Sequence, residues 1–338
     1  KYATGNMLGI DYVIPDFEYL IKNRKRIKGL FLTHGHYENM GAVYDLVKSI
    51  KELKIYATKF TKFMLLEDGV PEKNIIEITP HKKLNFKEVS IFPIAVSHSC
   101  PDSVMYVVNT KDGAICYTGD FIIDPSMKNA YDMDLGKIAY VGKKGVLALL
   151  SESSFSEHVG HTSPSHKLSS YFKDAINKAE GRVLFLALPT HIYTLQDIFN
   201  GALNMHRKIV IMGKKMQSTI NFCKKEGYLE FTDDILGDLS NVEDQNSILL
   251  VCDDRENPYA SINKIISGYD KFIKLRNNDT VVFAEARYDS NEKALVKVEN
   301  DLAMHGCKIV SLPKDKNILL HASSEDLMLM IKLLNPKF

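Results

Sequence analysis

Short apolar runs alternate with stretches of helical periodicity along nearly the whole chain. The short runs predict strands, and apolar positions that recur every three to four residues predict helices. In the first half, strands are predicted at 30–33, 54–57, 89–96, 104–109, 114–118 and 146–150, and helices at 16–26, 40–50 and 60–67. This alternation is typical of layered α/β folds.

A second series of strand and helix predictions begins near residue 167. Its strands lie at 183–187, 208–212, 247–251 and 280–284, and its helices at 171–179, 195–205, 215–225, 260–267 and 291–305. Residues 227–246 are polar and rich in turn formers, which predicts a connecting excursion. Short apolar strands separated by helices predict a mainly parallel sheet covered by helices.

The composition indicates a soluble globular protein of about two domains. The 338 residues are 45% hydrophobic and 25% charged, and the net charge of +1 gives no global basic field for nucleic acid. No apolar run approaches the roughly 20 residues of a membrane helix, so no membrane partner is expected. The five cysteines are dispersed without a C-x-x-C pair, which favours reduced thiols and a cytoplasmic location.

Candidate metal ligands stand where predicted strands end. In chain order, these four residues are His34, His36, His98 and Asp120. Any one of the histidines alone is ordinarily a solvated or capped surface residue. Four ligand-type residues at successive strand ends favour a metal site instead, because three neutral imidazoles and a carboxylate form a complete zinc coordination set.

Further motifs extend this pattern over nearly the whole chain. They are Met7-Leu8-Gly9-Ile10-Asp11-Tyr12-Val13-Ile14-Pro15-Asp16, Thr33-His34-Gly35-His36, His98-Ser99-Cys100-Pro101-Asp102-Ser103, Tyr117-Thr118-Gly119-Asp120-Phe121, Leu150-Ser151-Glu152-Ser153, Gly160-His161-Thr162, His321-Ala322-Ser323 and Glu325-Asp326-Leu327. Together they resemble ribonuclease J, a β-CASP member of the metallo-β-lactamase superfamily. The resemblance implies an enzyme that cleaves RNA from its 5′ end or internally with two zinc ions.

The resemblance also implies the fold class. It is α/β, an αββα metallo-β-lactamase fold with an inserted β-CASP α/β domain. Residues 1–167 and 311–338 are expected to form the metallo-β-lactamase core, incomplete at both ends. Residues 168–310 are expected to form the β-CASP domain.

The family pattern assigns a role to each candidate site residue. By resemblance, the first metal is held by His34, His36 and His98, with Asp120 bridging both metals. The catalytic positions are Glu38, Asp120 and Glu152. These assignments are what the resemblance implies for this chain.

The second metal position departs from the family motif. Glu38 stands where the motif has Asp, and its extra methylene displaces the carboxylate. Asn39 stands where the motif has His, and its neutral amide is a poor zinc ligand. The remaining histidine of this position is expected beyond Phe338. We therefore expect at most one zinc per chain.

Four substrate-side elements of the family are also altered. No Ser-Gly-His segment follows Ser323. Residues 252–258 carry acidic side chains, Asp253 among them, where backbone amides would meet phosphate, and like charge there is repulsive. Residues 189–193 and 285–290 depart from the family's phosphate-binding segments. Preserved hydrolysis is therefore not expected.

Three functions remain open from the sequence. The first is a degenerate paralogue of the family that serves RNA processing and decay with weak or no nuclease activity. Its partner would be an active ribonuclease J paralogue or a further copy of itself. The second is a zinc-dependent ribonuclease that uses His34, His36, His98, Asp120 and Glu38. The third is a module that binds RNA or protein without chemistry.

Overall fold

The structure, a computed structural model, describes residues 2–3, 9–10, 12–253, 259–284, 292–312 and 320–338. The strands are β1 (Tyr2–Ala3), β2 (Tyr12–Val13), β3 (Leu30–Phe31), β4 (Ile55–Ala57), β5 (Ile75–Glu77), β6 (Leu84–Asn85), β7 (Ser90–Ala95), β8 (Val104–Thr110), β9 (Gly113–Tyr117), β10 (Val146–Leu150), β11 (Val183–Ala187), β12 (Ile209–Met212), β13 (Ile248–Cys252), β14 (Thr280–Phe283) and β15 (Lys308–Ser311). The helices are α1 (Glu18–Lys22), α2 (Tyr37–Met40), α3 (Val43–Ser49), α4 (Lys59–Glu67), α5 (Leu135–Lys144), α6 (Ser169–Asn177), α7 (Ile192–Asn204), α8 (Lys214–Glu226), α9 (Ala260–Ile266), α10 (Glu292–Met304) and α11 (Ser324–Leu334).

The chain divides into two compact units. Unit 1 comprises Ile14–His166 and Leu319–Phe338, and unit 2 comprises Tyr2–Val13 and Lys167–Ile318. The boundaries expected from the sequence differ from these units at 2–13, 167 and 311–318. The later boundary differs because β15 pairs with β14 and so continues the sheet of unit 2 as far as Ser311.

Unit 1 stacks two sheets between two helical layers. One sheet contains β3, β4 and β5, and the other has the order β10-β9-β8-β7-β6. Because side chains alternate along a strand, β8 turns Tyr106 toward the aromatic rings of the smaller sheet and Met105 toward α5 and α11. Helices α1 and α3 share an apolar cluster with Leu30 on the smaller sheet. This is the predicted αββα order of layers.

The five-stranded sheet of unit 1 is mostly antiparallel, whereas the parallel sheet predicted from the second series of strands and helices lies in unit 2. Strands β6, β7, β8 and β9 pair antiparallel, and β10 joins β9 in parallel. The turn between β8 and β9 is only Lys111 and Asp112. A parallel pair needs a crossover of roughly a dozen residues, which so short a turn does not allow.

Unit 2 contains the parallel sheet that the sequence predicts, in the order β12-β13-β11-β14-β15. The guanidinium of Arg182, which is fully buried, donates to both carboxylate oxygens of Asp279 at 2.9 and 2.7 Å. It also donates to the carbonyls of Val242 and Lys274 at 2.8 and 2.7 Å. Arg182 and Asp279 precede β11 and β14, so the pair ties the beginnings of two adjacent strands together. Among the described helices, none is both long and apolar enough to cross a membrane.

Candidate metal centre

Three imidazoles converge beyond strand ends of unit 1. His34 and His36 lie between β3 and α2, and His98 follows β7. The three rings form a triangle in which every pair of ring centroids is 4.7 Å apart. All three side chains are buried. The sequence spacing therefore brings the predicted histidines to one point.

Each imidazole is held through one ring nitrogen and directs the other inward. The outer contacts are His34 Nδ1 to Thr33 Oγ1 at 3.0 Å, His36 Nε2 to Ser99 Oγ at 3.2 Å, and His98 Nδ1 to the Leu320 carbonyl at 3.0 Å. Such outer contacts fix the tautomer and ring orientation of metal-binding histidines. On the inner side, His36 Nδ1 and His98 Nε2 lie 3.1 Å apart.

Asp120 completes the group because Gly119 allows the end of β9 to approach Thr33. Gly119 has a φ of +60°, and a Cβ there would lie 2.8 Å from Thr33 Cβ. Glycine alone meets both demands without strain. Asp120 Oδ2 lies 3.4 Å from His34 Nε2. Burial raises the pKa of Asp120, but the close contact with His34 and the nearby imidazoles lowers it by more, so the pKa lies below its ordinary value.

The donor set fits one zinc ion. The ligand atoms of these four residues all lie within 4.8 Å of one another. In a tetrahedral site with Zn–N bonds of about 2.0–2.1 Å, neighbouring ligand atoms are about 3.3 Å apart. The distances from His36 Nδ1 to His98 Nε2, 3.1 Å, and from His34 Nε2 to Asp120 Oδ2, 3.4 Å, are close to this value. Burial and then the neighbouring His34 hold the pKa of His98 well below 6.5, so its ring is in the neutral form that a metal requires.

Asn39 interrupts this ligand geometry. Its Nδ2 lies 2.9 Å from His34 Nε2, the same ring nitrogen that faces Asp120. An amide N–H that donates to this nitrogen uses the lone pair that a metal ion would need. Asn39 therefore engages a first-site ligand where the family motif has a ligand of the second metal.

Glu152 and His321 form a second group with Asp120, whose ligand-type atoms also lie within 4.8 Å of one another. His321 Nδ1 lies 2.6 Å from one Glu152 oxygen, and the other oxygen accepts the Phe121 backbone N–H at 2.6 Å. Burial raises the pKa of Glu152. Burial lowers the pKa of His321, but the hydrogen bond to Glu152 and the charges of Glu152, Asp120 and Glu38 raise it above 6.5. This pair is suited to hold a proton beside Asp120.

The turn before α11 positions His321. Thr162 Oγ1 donates to the His321 carbonyl at 2.6 Å, and the Thr162 N–H donates to Asp326 at 2.9 Å. Asp326 closes a capping box with Ser323 at the start of α11. Leu320 has a φ of +53°, a conformation that a non-glycine residue rarely adopts. Strain of this kind concentrates at functional sites.

Comparison with known proteins points to one family. Residues 180–302 match the family model described as Ribonuclease J, beta-CASP domain. The whole chain aligns with Ribonuclease J2 of Bacillus subtilis (strain 168), at 33% identity over 345 residues. These matches support the ribonuclease J family for this chain. Ribonuclease J 2 of Staphylococcus saprophyticus is 29% identical over 346 residues, and the chain spans 62% of the length of each of these relatives.

The fold of the chain also resembles a solved structure. A protein of unknown function from Enterococcus faecalis V583 superposes with a TM-score of 0.63 at 15% identity, over 98% of this chain and 84% of that one. This likeness concerns the fold alone. The predicted α/β class, a metallo-β-lactamase fold with an inserted β-CASP domain, is confirmed.

The structure places most of the predicted site residues in the two groups. Those residues are His34, His36, His98, Asp120 and Glu152. Glu38 is exposed in the first turn of α2 and belongs to neither group among the described residues, although its charge acts on His321. Sequence reasoning misses His321, because it seeks a further histidine beyond Phe338. The match of His321-Ala322-Ser323 to the family motif is the sequence signal that could have identified His321.

The structure corrects the role expected for Asp253. Its side chain is buried, and its carboxylate accepts the Tyr259 backbone N–H at 2.8 Å. The carboxylate is therefore engaged within the fold, so repulsion of phosphate does not follow from it. The other altered positions at 254–258 and 285–290, and residues 7, 8 and 11 of the first motif, lie outside the described residues.

Proposed function

We propose that this chain serves RNA processing and decay as a ribonuclease J-type protein with weak or absent nuclease activity of its own. The contact that carries the proposal is the 2.9 Å distance between the Asn39 amide and His34 Nε2. At the position of Asn39, the family motif has a histidine that binds the second metal. Here the Asn39 side chain instead hydrogen-bonds to His34, a ligand of the first metal. Because the chain spans 62% of its curated relatives, the activity of the whole protein belongs to the proposal.

The proposed cofactor is zinc, at most one ion per chain, held by His34, His36 and His98 with Asp120. When bound, zinc supplies a Lewis acid and an activated water. The outer hydrogen bonds keep the three imidazoles oriented, and Asp120 stays charged beside them. Glu38 is exposed, which leaves the second position short of ligands. Two-metal hydrolysis needs both ions to hold the attacking and leaving oxygens.

An active zinc-dependent 5′-exo- or endoribonuclease is the second candidate function, and the Glu152–His321 pair favours it. A protonated imidazole in a buried site is suited to give its proton to a leaving oxygen. A positioned acid of this kind contributes on the order of 10²–10⁴ in rate. In this alternative, Glu38, Asp120 and Glu152 are the catalytic residues, as the resemblance implies.

An exonuclease assay on 5′-monophosphorylated RNA distinguishes the two functions. The purified chain, supplied with zinc and free of any paralogue, is expected to release negligible mononucleotide. Glu152→Gln is the matched control, because it keeps the side-chain shape while removing the charge that holds His321. Robust mononucleotide release that falls about 100-fold or more in Glu152→Gln would contradict the proposal and establish the enzyme.

The proposed partner is an active ribonuclease J paralogue, or a second copy of this chain, bound through unit 1. RNA contact would then be weak or indirect. The proposed partnership is supported by the family resemblance. It is also supported by the metal centre, whose side chains are buried and ordered although ligands for a second metal are lacking. Size-exclusion chromatography of the co-expressed pair is expected to give one shared peak. Two independent peaks at micromolar concentration would contradict the partnership.

We assign unit 1 to the metallo-β-lactamase core and unit 2 to the β-CASP domain. The family match over 180–302 lies within unit 2 and supports this assignment. The cytoplasm is the proposed place of action. All five cysteines are free thiols, and a reducing compartment keeps them so.

A further inference from the structure

The loop that joins α9 to β14 presents two aromatic side chains to solvent. Tyr269 is 83% exposed and Phe272 is 52% exposed. The loop runs from 267 to 279, longer than the roughly two to six residues usual between a helix and a strand. Ordered loops of this length are commonly functional. Two exposed rings on such a loop therefore point to a ligand.

Exposed lysines flank these rings. They are Lys264, Lys271 and Lys274. Within the part of the chain that the structure describes, no ion pair neutralises their ammonium groups. The carboxylate of Asp270 accepts the backbone N–H groups of Phe272 and Ile273 at 2.9 and 2.8 Å. The loop thus combines uncompensated positive charge with exposed aromatic faces.

Hydrogen bonds and packing hold both ends of the loop in place. Gly268, at a φ of +72°, ends α9, and the Tyr269 N–H donates to the Lys264 carbonyl at 2.9 Å. At the other end, Ile273 is buried in the core of unit 2, and the Lys274 carbonyl accepts from Arg182 at 2.7 Å. A surface ordered in advance loses less conformational freedom when a ligand binds.

We propose that this loop binds single-stranded RNA, with bases stacked on Tyr269 and Phe272 and phosphates beside the three lysines. Sequence-tolerant single-strand binding typically combines aromatic stacking platforms with positive charge along the backbone. The two rings are three residues apart, at most about 11 Å along the chain, within the span of a few nucleotides. The choice of RNA as the ligand rests on the proposed function. The loop itself contains no residue of the metal centre.

Fluorescence anisotropy with an unstructured, 5′-hydroxyl RNA oligonucleotide tests the loop, in the presence of a chelator so that no strand is cut. The double variant Tyr269→Ala, Phe272→Ala is expected to bind at least about 25-fold more weakly, since each stacked base contributes about fivefold or more. Tyr140→Ala is the matched control, a tyrosine that is 59% exposed in unit 1 beside Lys144. It should bind RNA as the unmodified chain does.

Two further measurements separate stacking from charge. Changing the three lysines to Gln should make the slope of log affinity against log salt shallower by about 2, at roughly 0.7 per phosphate contact. An oligonucleotide with abasic sites should bind the unmodified chain as weakly as the RNA binds the double aromatic variant. Equal affinity for the abasic strand would overturn the stacking role.

The outcomes also separate this inference from the proposed function. If the unmodified chain binds RNA and the loop variants bind equally well, the loop assignment fails while the role in RNA decay stands. If the unmodified chain binds no RNA, the loop assignment fails as well. The exonuclease assay and the size-exclusion experiment with the paralogue then test the proposed function independently of the loop.

Discussion

Asn39 Nδ2 lies 2.9 Å from His34 Nε2, and His34 Nδ1 lies 3.0 Å from Thr33 Oγ1. With Nε2 accepting the amide proton, the ring carries its own proton on Nδ1, toward Thr33. This is the tautomer that a metal at Nε2 requires. The His34 ring is therefore correctly oriented for a metal ion, but the ion would have to displace the Asn39 amide from His34 Nε2.

The first prediction is that Asn39→Ala raises zinc affinity about fivefold, because a hydrogen bond of about 1 kcal/mol no longer has to be broken. Competition with a chromophoric zinc chelator measures this change. Asn109→Ala is the control, because Asn109 is an exposed asparagine that donates to Ser90 at 3.4 Å, and it should leave the affinity unchanged. Weaker zinc binding by Asn39→Ala would mean that the amide serves as a ligand.

Gly119→Ala is predicted to destabilise the fold by about 2–4 kcal/mol, through backbone strain and a forced contact. The added Cβ would lie 2.8 Å from Thr33 Cβ at a φ of +60°. Gly227→Ala is the matched control, since its φ is +74° with nothing within 4 Å. Strain alone should cost it about 1 kcal/mol. Urea unfolding compares the two, and equal losses would remove the contact with Thr33 from the explanation.

Arg182→Met is predicted to destabilise the protein by about 3–5 kcal/mol, because it leaves the buried carboxylate of Asp279 without its partner. Lys178→Met breaks the exposed pair with Asp174, whose charged atoms are 3.5 Å apart, and should change stability by less than about 1 kcal/mol. Denaturant unfolding measures both variants. A loss below about 1 kcal/mol for Arg182→Met would show that the ion pair does not hold the two strands of unit 2.

The pH dependence of stability is predicted to include a contribution from His161. The hydrogen bond to Asp326, 2.7 Å from His161 Nδ1, raises the pKa of His161 above 6.5, with further help from the charge of Glu325. A pKa raised by folding adds stability that is complete below about pH 6.5 and lost as pH rises through the folded value. The difference in unfolding free energy between the unmodified chain and His161→Gln should therefore shrink from about pH 6 to pH 9. A difference that grows with pH would contradict this sign.

The sequence was sufficient for the layered fold and for the first metal group. A continuous apolar run identified β11, whose residues are buried throughout, and the His34 and His36 spacing marked the end of β3. It missed β5 and β6, since strands of two or three residues carry too little pattern. It left the strand directions in unit 1 undetermined, because a short apolar run looks the same in a parallel and in an antiparallel strand.

The sequence predicted Asp120 and Glu152 but not their grouping with His321, because that grouping depends on contacts distant in sequence. His321 meets Glu152 across 169 positions, held by the Thr162 contacts and the capping box at α11. The role of Asp253 was misjudged for the same reason, since a carboxylate in a loop reads as exposed until its hydrogen bond to Tyr259 is seen. Resemblance can propose residue roles, but packing decides which side chains face the site.

The zinc content of the unmodified chain decides whether the second metal position is lost. We expect at most one zinc per chain, at His34, His36 and His98, weakly enough held to be lost in purification. Asn39→His with Glu38→Asp should raise zinc uptake, because both changes restore ligands of the family motif. Elemental analysis gives the stoichiometry, and anomalous scattering at the zinc edge locates each ion. One peak or none supports the account, and two fully occupied peaks in the unmodified chain would contradict it.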